Sequence, residues 1–152
     1  MFEEGNLLLF HPFLFKNGAT PKDKFFLVLG NVEGKLLLAS LPTSKDHVPS
    51  DVKVKHGCID LPERYVNIFV FVAGEEIVLK QDGEYFSFSK NTFVYGANLD
   101  MYSISQLELQ ERMSQTNIEL IGSLDEEVFA DMKECLSNSK MVKNKYRKLL
   151  HE

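Results

Sequence analysis

Lys24-Phe25-Phe26-Leu27-Val28-Leu29-Gly30-Asn31-Val32-Glu33-Gly34-Lys35-Leu36-Leu37-Leu38-Ala39-Ser40 decides the fold class of this chain. Its first apolar run, residues 25–29, is too short to favour a helix and is rich in strand formers. Gly30 to Gly34 reads as a tight connection, and residues 35–40 form a second strand closed by Pro42. The same pattern continues on both sides. Upstream, Leu7-Leu8-Leu9-Phe10 and Phe13-Leu14-Phe15 are short apolar runs separated by a turn-like His11-Pro12, with a further turn at Lys16-Asn17-Gly18. Downstream, residues 43–57 are polar and read as a loop, with a short edge strand around Val52 to Val54. Residues 66–72 are a strongly apolar strand. Residues 77–80 and 85–88 flank Gln81-Asp82-Gly83-Glu84, in which Asp-Gly is a strong hairpin signal. Short strands at residues 93–95, 101–104 and 118–121 complete the set, with a short helix over 105–113.

The final third changes period. Ser123-Leu124-Asp125-Glu126 reads as a capping box, so a helix is expected to begin near Leu124. Val128, Phe129, Met132 and Leu136 then repeat on one helical face. Val142, Tyr146, Leu149 and Leu150 follow helical spacing in a tail that can dock on the body. Seven or eight short, evenly spaced strands followed by helices favour a small barrel or sandwich, in a mainly β, β-rich α+β chain, over a βαβ sheet. The 152 residues suit a single domain, 1–152, with a β body over 5–122 and a C-terminal helical segment over 123–152.

Composition bounds the function. The chain is 44% hydrophobic and 26% charged, which excludes collagen-like and disordered classes. No apolar run reaches the ~18 residues of a membrane span, and Met1-Phe2-Glu3-Glu4 lacks the basic start of a signal peptide, so a cytoplasmic protein with no membrane partner is expected. Cys58 and Cys135 are in no metal-ligand spacing and read as two small core residues in a reducing compartment. The net charge of −5 is unevenly spread. Residues 140–152 carry Lys140, Lys143, Lys145, Arg147 and Lys148 against Glu152, a net of +4, which leaves −9 for residues 1–139. An acidic body argues against a strong general nucleic-acid binder. A local patch of Lys22, Lys24, Lys45, Lys53 and Lys55 is partly cancelled by Asp23, Asp46 and Asp51.

No phosphate loop, nucleotide fingerprint or nucleophile elbow is present. The informative layout is Gly5-Asn6-Leu7-Leu8-Leu9-Phe10-His11-Pro12-Phe13, then Lys24-Phe25-Phe26-Leu27-Val28-Leu29, then a strand ending in Pro42-Thr43-Ser44-Lys45, and finally Ile121-Gly122-Ser123-Leu124-Asp125-Glu126-Glu127. Over about residues 5–44 and 116–138 this resembles the MazF/PemK-like toxin family. The resemblance implies an SH3-like small barrel with C-terminal helices, commonly a homodimer. It also implies a metal-independent endoribonuclease of a toxin-antitoxin system, with single-stranded RNA as substrate, no cofactor and an antitoxin protein as partner. The family's catalytic Arg position holds Lys24 and its following Pro is Phe25. Lysine supplies charge without a planar fork, so activity is expected to be reduced or lost. Thr43 and Ser44 match the family's hydroxyl positions, although capping or turn formation is the commoner fate of Thr-Ser.

On this reading Lys24, Thr43 and Ser44 share one concave surface. His11, a candidate general base, or His47 stands at its edge, and Lys22, Lys45 and His47 help to bind substrate. His56 is a further loop histidine, and Lys143, in the tail, is expected to be remote from the chemistry. Two rivals stand beside the ribonuclease: a catalytically silent barrel acting as a protein-binding module, and a pocket-type binder of a small molecule.

Overall fold

A computed structural model describes residues 1–151. The chain is mainly β: β1 (Asn6–Phe13), β2 (Lys22–Val32), β3 (Lys35–Ser40), β4 (Gly57–Leu61), β5 (Val66–Phe71), β6 (Val78–Leu79), β7 (Tyr85–Phe86), β8 (Thr92–Tyr95), β9 (Leu99–Ser103) and β10 (Asn117–Leu124). Three helices, α1 (Ile104–Arg112), α2 (Glu126–Ser137) and α3 (Asn144–Leu150), follow β9 and β10. The strands form a seven-stranded sheet in the order β7-β6-β10-β1-β2-β3-β9 and a three-stranded sheet in the order β4-β5-β8. Every pairing is antiparallel. Among the described residues, no pairing joins the edge strands β7 and β9, so the ladders do not close into a barrel.

The unbroken apolar runs of β1, β2 and β3 have one physical cause: these strands are buried on both faces, so alternation gives way to a continuous run. Leu27 and Leu29 of β2 and Leu37 and Ala39 of β3 face a core shared with Phe69, Phe71 and Val94 of the small sheet and with Met132 and Leu136 of α2. Phe26, Val28, Leu36 and Leu38 face the opposite way, into a second core with Phe10 of β1 and Leu107 of α1. The outer face of the small sheet is not left bare. Val48 and Val54, from the loop after β3, pack against Ile68, Val70 and Phe93.

Four local expectations are corrected. His11-Pro12 is not a turn: β1 runs through it, and the register with β2 shifts between Phe10 and Phe13. A bulge accommodates proline because Pro12 has no N–H to donate. The edge strand is β4 rather than residues 52–54, and its half-exposed residues carry a weak hydrophobic pattern. The cap of α2 is Asp125, whose carboxylate accepts from the amides of Glu127 and Val128 at 3.0 and 3.2 Å. Ser123 instead belongs to β10, and its hydroxyl donates to Asn6 Oδ1 at 2.9 Å. Finally, Cys58 and Cys135 are not free thiols. They form a disulfide that ties β4 to α2, with Cys58 exposed and Cys135 buried.

The tail docks as its spacing predicts, with Val142, Tyr146 and Leu150 buried. The Asp82-Gly83 turn is also present. Gly83 takes a left-handed φ of 87°, and the amide of Lys80 donates to the Glu84 carbonyl. Gly122 is required by close approach: a Cβ there would collide with the carbonyl of Leu79 on β6. No helix among the described residues is long and apolar enough to cross a membrane.

Candidate functional site

Side chains alternate along β2, so Lys22, Lys24 and Phe26 share one face. Lys24 stands opposite Phe10 in the β1–β2 register. The chain leaving β1 brings Phe15 over this face, and the ammonium groups of Lys22 and Lys24 lie 6.0 and 5.9 Å from its ring centre. Phe13, Phe26 and Tyr102 of β9 extend the aromatic surface. Phe13 sits 4.3 Å from Phe26 and 5.4 Å from Tyr102, ring centre to ring centre. Lys16 Nζ lies 4.2 Å from the Tyr102 ring centre and 3.1 Å from Asp100 Oδ2. Phe13, Phe15, Lys24, Phe26, Asp100 and Tyr102 line an open cleft of about 510 Å³, and Lys143 lines it as well.

The electrostatics of this cleft follow from its walls. Burial holds the Lys24 ammonium below the ordinary lysine range, and the neighbouring positive charge of Lys22 adds to the effect. An anion entering the cleft would relieve both. The Tyr102 phenol is pushed up to about 12 by burial and then by the charge of Asp100, so it stays neutral at physiological pH. A half-buried cation over aromatic faces suits a ligand that is anionic in one part and planar in another.

The other expected site residues lie elsewhere. His11 points away from Lys24, on the opposite face of the sheet. Its Nδ1 is 3.3 Å from Asp23 Oδ2 and its Nε2 is 3.5 Å from Glu119 Oε1. Glu119 pairs with Leu9 across β1–β10, which fixes it to the face that Lys24 does not occupy. Thr43, Ser44, Lys45 and His47 belong to the exposed loop after β3. That loop is drawn toward β8: the Phe93 amide donates to the Pro42 carbonyl at 2.9 Å, and the Tyr95 hydroxyl donates to the Ser44 carbonyl. Ser44 Oγ accepts the Asp46 amide at 3.3 Å, the local turn-forming role that Thr-Ser commonly plays. The His47 ring stands edge-on to Tyr95 at 4.9 Å. From this part of the chain it is Ser40, not Thr43 or Ser44, that lines the Lys24 cleft. Lys143 was expected to be remote and instead lines the same cleft as Lys24. The helical spacing of Val142 and Tyr146, which docks the tail on the body, is the sequence signal that could have brought Lys143 there.

A second large cavity, about 470 Å³, surrounds the disulfide. Asp60, Asp131 and Glu134 line it together with His56, whose ring stands edge-on to Phe69 at 5.7 Å. Among the described residues no group of three or more His, Cys, Asp or Glu side chains is arranged to hold a metal ion. No protein-family model, curated protein or solved structure matches this chain.

Proposed function

We propose that the chain is a diverged relative of the MazF/PemK-like toxins that takes single-stranded RNA into the Lys24 cleft and cuts it weakly, without a cofactor. The observation that carries this reading is the half-buried Lys24 facing an aromatic-walled cleft to which Lys143 adds a second cation. In such a cleavage the ribose 2′-oxygen bonds to phosphorus and the bond to the 5′-oxygen breaks. The 2′-proton is lost and the leaving oxygen gains one, which gives a 2′,3′-cyclic phosphate. Lys24 and Lys143 would stabilise the crowded anionic phosphorane. Lys22 would add attraction at the rim, and Thr43, Ser44, Lys45 and His47 would contact RNA running on from the cleft. The same reading makes the protein a cytoplasmic homodimer held in check by an antitoxin. An oxidised Cys58–Cys135 pair is unusual for the cytoplasm, where thiols are kept reduced.

A binding-only module is the second reading, and the placement of His11 favours it. A general base must reach the proton it removes, and His11 is across the sheet from Lys24. Incubating the protein with mixed RNA, with and without a chelator, separates the two. A slow cleavage that survives chelation and is accelerated by Lys24→Arg supports the weakened enzyme, because arginine restores the two-pronged contact. No cleavage by either form leaves the protein-binding module.

A further inference from the structure

The short turn Gly96–Asn98 between β8 and β9 stands between two concavities. On one side is the Lys24–Lys143 cleft. On the other is a smaller cavity of about 160 Å³, and Ala97 and Asn98 line both. The smaller cavity has a different character. Its walls are Tyr65, Tyr95, His47 and Met141 with the amides of Asn67 and Asn98, and neither lysine nor carboxylate lines it. Tyr65 is 75% exposed, so its ring contributes little to the core. Its backbone is nevertheless fixed, with φ at 55° and its amide donating to the Pro62 carbonyl at 3.2 Å. Tyr65 caps the short turn Pro62–Arg64 in the left-handed region, and this cap holds its exposed ring at the cavity mouth. The wall beneath is fixed too. Asn67 is buried and donates to the Cys135 carbonyl at 2.9 Å, and a Cβ on Gly96 would collide with Asn67 Oδ1, so the turn seats tightly on the amide.

We propose that this cavity is a nucleobase subsite: a base stacks on Tyr65 beside Asn98 while a neighbouring phosphate of the same strand lies between Lys24 and Lys143. The inference rests on the RNA reading of the cleft and deepens it by dividing the ligand into two chemistries. Cations with aromatic walls suit a phosphate and its sugar, whereas an aromatic slot with amide groups and neither lysine nor carboxylate suits a planar base. The turn that lines both cavities makes the two subsites neighbours.

The test uses two fluorescently labelled single-stranded oligomers of equal length, one a mixed-sequence RNA and one abasic, with the same sugar-phosphate chain. Binding is read by anisotropy at low salt. Wild-type protein is expected to bind the RNA more tightly than the abasic oligomer. Tyr65→Ala should weaken RNA binding about fivefold or more, the low end for one lost stacking contact, and leave the abasic oligomer unaffected. Tyr65→Phe should keep the wild-type affinity, because it keeps the ring. Lys143→Ala should weaken both oligomers alike. If Tyr65→Ala changes neither affinity, or both equally, the base subsite is overturned and the RNA reading stands. If neither oligomer binds the wild-type protein, both fall.

Discussion

Two open cavities of similar size carry opposite charge. The cleft beside β2 and β9, about 510 Å³, presents Lys24 and Lys143 over aromatic rings against the single carboxylate of Asp100. The cavity between β4 and α2, about 470 Å³, presents Asp60, Asp131 and Glu134 around a disulfide. A net charge of −5 therefore says little about what either face attracts. Potential is local, and over a Debye length of about 8 Å an acidic patch on one side of the molecule does little to a cationic patch on the other. The two cavities also differ in what holds them. The acidic one is pinned covalently. The cationic one is assembled by packing, from β1, β2, β9 and the segment leading into α3.

The largest effect should come from breaking the covalent side. The disulfide closes a loop with a sequence separation of 77 residues. Replacing Cys58 and Cys135 together by Ser should lower unfolding free energy by about 4.5 kcal/mol, the chain-entropy expectation for a loop of that size. Urea denaturation followed by circular dichroism measures it. An unchanged midpoint would mean that α2 is held to the small sheet by packing alone.

The next effect belongs to the cationic side and should appear in binding rather than in stability. Lys24→Met keeps the apolar stem and removes the charge. It should weaken the short RNA oligomer about tenfold, roughly 1.5 kcal/mol for one charge-assisted contact. The urea midpoint should hold or rise slightly, because a partly desolvated charge is gone. The pH dependence has a definite sign. A lysine whose folded pKa is lowered is charged below that pKa and neutral above it. Binding in the wild-type protein should therefore decay as pH rises, beginning below the ordinary lysine value of about 10.4, and the Met variant should lack that decay. Binding that is flat to pH 10 in both forms would show that Lys24 does not contact the anion.

The smallest effect is spectroscopic. Tyr102 ionises near 12 in the folded protein against about 10 in an unfolded chain. The folded state thus keeps a proton that the unfolded state releases. This contribution to stability is complete below pH 10 and is lost as pH rises from about 10 to about 12. Phenolate absorbance should show a late step that Tyr102→Phe removes. A late step that survives in the variant would assign it to another tyrosine and loosen the picture of a closely walled cleft.

Much of this architecture was readable from residue patterns. The runs at residues 25–29 and 36–39 mark strands buried on two faces, and the repeat from Val128 to Leu136 marks α2. Those signals are local and strong. The parts that escaped depend on pairing or on distance along the chain. Strand β4 is a half-exposed edge with no clean period. The disulfide joins cysteines whose spacing carries no motif. The opposed directions of His11 and Lys24 follow from the β1–β2 register, which sets Phe10 against Lys24 and so turns His11 to the other face. Asp125 and Ser123 are both good cap residues, and only the length of β10 decides between them. The cleft itself joins Lys24 to Lys143, and no window along the sequence contains both.

The position of β1 between β2 and β10 also governs how the protein is made. As the chain leaves the ribosome at about 5–20 residues per second, β1, β2 and β3 can pair early. The other side of β1 waits for β10, which emerges only after the small sheet and α1. Throughout that interval an apolar strand with unpaired amides faces the surrounding medium, and α2, which covers its neighbours, comes later still. The nascent chain thus carries its stickiest edge for most of its synthesis, and that interval is when a chaperone would be needed.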